Sequence, residues 1–161
     1  MILAIDPGTA RIGMVIYDPS AKQVVQHWNP VEVDESTVFG ALKLALRGDW
    51  TVLVERVQAQ GVAGTSTIDT ADQAGWIRGV CEAWGIMCHR MYRREVKAAL
   101  DCAGGKDKDV KARVCEYLVG SSNWRDATGK KSAPGPCYGL KGDAWQALGL
   151  AIGWLHANNA Q

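Results

Sequence analysis

Ile2, Leu3, Ala4 and Ile5 form an apolar run that stops at Asp6-Pro7-Gly8-Thr9, and a second run, Ile12 with Met14 to Tyr17, ends at Asp18-Pro19. Apolar runs bounded by Asp, Pro and Gly predict a strand, a tight turn and a second strand. Val24 to Trp28 predicts a third. From Ser36 to Leu46 the period changes: Val38, Leu42 and Leu46 recur every four residues, the pattern of an amphipathic helix ending at Gly48. Thr51-Val52-Leu53-Val54-Glu55 is apolar without alternation, as expected of a central strand covered on both faces. Gln58 to Thr67 is rich in Gly, Ala, Ser and Thr and predicts a loop. A helix follows over Thr70 to Trp84, with Ala74, Ile77, Cys81 and Trp84 at helical spacing and Gly85 as its stop, then a strand over Ile86 to Tyr92.

The remainder reads as helices. Val96 to Leu100 predicts a short one, broken by Gly104-Gly105, and Asp107 is expected to cap another that carries Val110, Val114 and Leu118 before Gly120. Ser121 to Leu140 contains Gly129, Pro134, Gly135 and Pro136 and predicts a long basic loop, whose length points to a functional or disordered segment rather than a plain linker. The last helix starts near Gly142-Asp143 and is expected to bury Ala147, Leu148, Ala151, Ile152 and Leu155. The order, a strand meander first and helix-connected strands afterwards, predicts a single mixed α/β domain.

Composition agrees with that and narrows the setting. At 161 residues the chain suits one domain, and 47% hydrophobic against 22% charged residues excludes a disordered or collagen-like chain. Cys81, Cys88, Cys102, Cys115 and Cys137 are odd in number and contain no C-x-x-C pair, which argues against a disulfide framework or a thiolate zinc site. They read as reduced, intracellular thiols. The opening apolar run is too short for a secretory signal, and the uncharged stretch from Ala144 falls short of the roughly 20 apolar residues that a bilayer needs. A cytoplasmic, soluble protein is expected.

The net charge of +1 conceals an asymmetry. Residues 1–89 hold six basic and ten acidic side chains, whereas residues 90–161 hold twelve basic and seven acidic. Arg90, Arg93, Arg94, Lys97, Lys106, Lys108, Lys111 and Arg113 cluster, and Arg125, Lys130, Lys131 and Lys141 follow. Such clustering is an electrostatic footprint for polyanions, because each neutralised phosphate releases a counterion. A solvated helix face is the ordinary alternative, and Glu95, Asp101, Asp107 and Asp109 dilute the field.

Three acids stand where elements meet: Asp6 ends the first strand, Glu55 ends the most apolar strand and Asp143 opens the last helix. If those two strands are neighbours, Asp6 and Glu55 lie at the same end of the sheet, and the last helix can bring Asp143 to them. Three close carboxylates repel unless a cation neutralises them, and an all-oxygen donor set selects Mg²⁺ or Mn²⁺. Singly, each has an ordinary reading: a turn residue, an ion-pair partner of Arg56 and a helix cap. Together with a basic second half they point to a metal-dependent phosphodiester site. His27, His89 and His156 are scattered, and none is assigned as a general base.

Ala4-Ile5-Asp6-Pro7-Gly8-Thr9, followed by Arg11-Ile12-Gly13, resembles the first strand and turn of the RuvC-type Holliday-junction resolvases, members of the RNase H-like superfamily. Val52-Leu53-Val54-Glu55 resembles their second catalytic strand, and Gln73-Ala74-Gly75 their helix at the dimer interface. Val96-Lys97 with Lys108 resembles their DNA-contacting lysine pair, and Gly142-Asp143-Ala144-Trp145-Gln146-Ala147-Leu148 their closing helix. The likeness runs in order from about residue 2 to 155.

The resemblance implies an RNase H-like mixed five-stranded sheet, an antiparallel β1-β2-β3 meander followed by parallel strands, flanked by helices. It also implies a homodimer, with its interface around helix 70–84, that nicks four-way DNA junctions through two Mg²⁺ or Mn²⁺ ions per site. Asp6, Glu55 and Asp143 are then the metal ligands, and Lys97, Lys108 and Gln146 complete the catalytic set. Arg93, Arg94, Lys97, Lys106, Lys108, Lys111, Lys130 and Lys131 are the expected DNA contacts. Trp76 and Trp84 on the interface helix read more as core than as contact.

Two positions depart from the family pattern. Gln146 stands where a second Asp is usual, offering a neutral oxygen on the same helix face, which leaves one ion or two open. Gln58, three residues after the glutamate, stands where cellular resolvases can carry a junction-opening aromatic. Other readings stay open: a related nuclease acting on structured RNA, of the pre-ribosomal-RNA processing type, and a catalytically weak junction-binding module. An actin-like ATPase, which also uses a D-x-G-T turn, needs a longer chain. Thr128-Gly129-Lys130-Lys131-Ser132 echoes a P-loop but lacks its leading glycine, because Trp124 stands there.

Overall fold

The computed structural model describes residues 1–8, 11–32, 34–57 and 64–159, with side chains described except at 29–32 and 159. Thr9 and Gln58, with the start of the loop after Glu55, lie outside the described residues. Five strands, β1 (Ile2–Asp6), β2 (Arg11–Asp18), β3 (Gln23–Glu32), β4 (Thr51–Arg56) and β5 (Cys88–Tyr92), form one sheet in the order β3-β2-β1-β4-β5. The β1-β2-β3 meander is antiparallel, and β1-β4 and β4-β5 are parallel. This is the mixed sheet expected from the sequence.

Alternation along the central strands sorts the core into two layers. Ile2, Ala4, Val15, Tyr17 and Leu53 face one side, under α3 (Arg93–Ala99), α4 (Asp107–Val119) and α6 (Ala144–Asn159). Leu3, Ile5, Met14, Ile16, Val52 and Val54 face the other, under α1 (Glu35–Gly48) and α2 (Thr65–Trp84). Successive strand side chains point to opposite faces, so Asp6 inherits the face of Ala4, and Glu55 that of Leu53. Ala4 pairs with Leu53 and Ile5 with Val54 in register, which puts the two acids side by side at the strand ends, beneath α6.

Helix α6 is buried nearly all round, with Ala147, Leu148, Leu150, Ala151 and Ile152 fully excluded from solvent, as expected of a central helix covered by others. At Gly149 a side chain would run into Val110 of α4, so small residues let the outer helices settle closely on α6. Among the described residues no helix is long and apolar enough to cross a membrane. All five cysteines are free thiols.

Several boundaries differ from expectation. Helix α2 begins at Thr65 rather than Thr70. Helix α3 begins at Arg93, where the Glu95 carboxylate accepts a hydrogen bond from the Tyr92 amide at 2.8 Å. Lys106, not Asp107, is the capping residue of α4; Asp109 accepts from its amide at 2.6 Å. The expected loop 121–140 is built rather than open: it holds α5 (Trp124–Thr128) and a small hairpin of β6 (Gly129–Lys130) and β7 (Ala133–Pro134). Buried Ala127 and Cys137 anchor it to the core.

Candidate active site

The C-terminal ends of β1 and β4 open into a cleft of about 860 Å³ lined by Asp6, Glu55 and Asp143, with Arg11, Arg56, Arg93, Arg94 and Lys97 along its walls. Two devices place the acids. Asp6 and Glu55 follow from strand parity. Asp143 is placed by Gly13, the antiparallel partner of Asp6, because a side chain at position 13 would occupy the space of the Asp143 carbonyl. The Asp143 carbonyl then accepts from the amides of Gln146 and Ala147, each at 3.0 Å, to start α6. The turn after β1 is tied down from the other face: the Gly8 amide donates to Gln73 Oε1 at 3.0 Å.

Burial makes Asp6 and Glu55 hard to ionise together. Asp6 is 9% exposed, and its carboxyl is pushed up to about 8, first by loss of solvent, then by repulsion from Glu55 and Asp143, against the attraction of Arg93. Glu55 is raised as well, chiefly by burial and against the pull of Arg93. Arg93 is the organising cation. Its Nη1 donates to Gln146 Oε1 at 2.9 Å and stands 3.1 Å from Glu55 Oε2. That Glu55 oxygen is buried and makes no hydrogen bond, so the contact is an ion pair off the hydrogen-bond direction. Nη2 of Arg93 lies 3.9 Å from Asp107, and Lys97 Nζ lies 3.7 Å from the same carboxylate while donating to the Gly105 carbonyl at 2.7 Å.

Among the described residues, no three Asp, Glu, His or Cys side chains are gathered into a ready-made ligand set. Asp6 is the common neighbour of the other two acids, and Glu55 faces Arg93. The donor chemistry nevertheless fits a hard divalent cation: three carboxylates in one cleft, one oxygen buried without a hydrogen bond, and one carboxyl whose ionisation is opposed by both burial and its neighbours.

The other expected residues divide by location. Arg93, Arg94 and Lys97 line the cleft with the acids, and Gln146 reaches it through Arg93. Lys106 and Lys108 are at the start of α4, and Lys130 and Lys131 are exposed around the β6-β7 turn, outside the cleft lining. Lys111 packs its ammonium 4.5 Å and 4.4 Å from the ring centres of Trp124 and Trp145. The His89 ring lies tilted against that of Trp154, and His156 Nδ1 meets the Ala99 carbonyl at 3.1 Å. Trp76 and Trp84 pack edge and face against Phe39 of α1.

The sequence assigns no place in the site to Arg11, Arg56, Gln73 or Tyr92. Arg56 and Arg94 stack on Tyr92 at 4.5 and 5.1 Å, at the lip of the cleft. A signal was available for Arg56, which directly follows the strand-ending glutamate.

The chain superposes on the structure of T. thermophilus RuvC in complex with a Holliday junction substrate with a TM-score of 0.66, at 16% identity, over 99% of this chain and 94% of that one. It superposes on another Thermus thermophilus RuvC structure with a TM-score of 0.60, at 18% identity, over 99% and 95% of the two chains. The fold is that of RuvC. No family model and no curated protein matches the sequence.

Proposed function

We propose that this protein is a divalent-metal-dependent endonuclease that resolves four-way DNA junctions by hydrolysing phosphodiester bonds. The observation that carries the reading is the convergence of Asp6, Glu55 and Asp143, far apart in the chain, in one cleft walled by arginines and Lys97. Asp6, Glu55 and Asp143 would hold Mg²⁺ or Mn²⁺, which when bound supplies an activated water and charge stabilisation at phosphorus. Arg94 and Lys97 receive the phosphate at the mouth of the cleft, and Lys106, Lys108, Lys130 and Lys131 track the backbone, a contact that positions the duplex without reading sequence.

Branch preference calls for two sites presented together, and a two-fold dimer through α2, where Ile68 is half exposed, supplies them. Likeness to a RuvC captured with a Holliday junction supports the substrate class. The test is incubation with end-labelled four-way junction, linear duplex and structured RNA in Mg²⁺. Paired nicks confined to the junction are expected. Preferential RNA cleavage would replace the reading with an RNA-processing nuclease, and junction binding without cleavage would leave only a binding module.

A further inference from the structure

We infer that Arg93 takes the place of a second metal ion, so that the site binds one divalent cation per chain. The inference rests on the metal-site reading above and deepens it. The Arg93 Nη1 atom lies between Gln146 Oε1, at 2.9 Å, and Glu55 Oε2, at 3.1 Å. Those two oxygens flank the space between β4 and the first turn of α6. A second cation coordinated by both residues would have to enter where the guanidinium already sits.

Arg93 also supplies a positive charge directly against Glu55, inside the cleft that the three carboxylates share. Gln146 suits this arrangement because its neutral oxygen accepts from Arg93 without adding charge. An aspartate there would restore one more negative charge and draw a further cation. Arg93 is buried enough to be held, with its side chain 31% exposed, and a planar guanidinium presents several donors to two acceptors at once. Asp107, 3.9 Å from Nη2, steadies the other edge. Arg93 is thus a positioning residue: it fixes Glu55 and sets the ion count.

Manganese alone is the probe. Titration calorimetry on the full-length protein, with electron paramagnetic resonance on the same samples, should give one Mn²⁺ per chain and no spin coupling between ions. The double variant Arg93→Gln, Gln146→Asp should take two, with Mn–Mn coupling in the spectrum. Two ions per unaltered chain would overturn the inference and leave the metal-site reading intact. A folded double variant that still takes one ion would overturn the role given to Arg93. No uptake by the unaltered protein would overturn both.

Discussion

The space left by the missing side chain of Gly13 is filled by the main chain of Asp143. Because Gly13 is also the strand partner of Asp6, this one contact sets how close the last helix comes to the buried carboxylate. Gly13→Ala should therefore act on both stability and chemistry. Forcing a methyl group against a carbonyl costs roughly 1–3 kcal/mol in a packed site, and a displaced Asp143 should lower junction nicking by at least about tenfold. Urea unfolding and cleavage assays on the same preparation check the pair of effects.

Asp6 is held among like charges out of solvent, an arrangement that serves ligand binding at the expense of the empty fold. Asp6→Asn should raise the unfolding free energy of the metal-free protein by about 1 kcal/mol while abolishing nicking and retaining junction binding. Thermal melts in chelator, with binding measured by gel shift, test this. A lower melting temperature would contradict it.

The hairpin lysines stand free of the cleft and exposed. If Lys130 and Lys131 each meet a phosphate, replacing both by alanine should leave cleavage of bound junction unchanged and weaken association. The slope of log affinity against log salt should then become shallower by about 0.9 for each phosphate that is no longer neutralised. An unchanged slope would remove the hairpin from the DNA surface.

Ile68 on α2 is 50% exposed. Ile68→Asp should dissociate the proposed dimer, seen by sedimentation velocity as a monomer, and convert paired nicks into single ones. A monomeric unaltered protein that still makes paired nicks would contradict the dimer.

The core and the acids were legible because they depend on short-range patterns. An apolar run ending in a carboxylate announces both the strand and the residue left at its tip, and parity then assigns Asp6 and Glu55 to a common face. The helix start at Thr65 was hidden because Thr65, Ser66 and Thr67 are weak helix formers; the helix gains there from backbone bonds, with the Thr67 and Ile68 amides donating to the Gly64 carbonyl.

The α5 and β6-β7 insertion has no sequence signature because its elements are two to five residues long, too brief for any period to register. The part played by Arg93 has no local signature either. Within a run of basic residues it reads as one more DNA contact, and only folding brings it to Gln146, 53 positions away. Lys111 is a similar case: its place between Trp124 and Trp145 is a tertiary fact.

The central claim is that Asp6, Glu55 and Asp143 meet at a divalent ion, and anomalous diffraction from crystals grown in Mn²⁺ tests it most directly. A manganese peak within about 2.5 Å of carboxylate oxygens from Asp6 and at least one of the other two is the expected result. A cleft without such a peak at saturating Mn²⁺, or a peak bound elsewhere on the chain, would contradict the account.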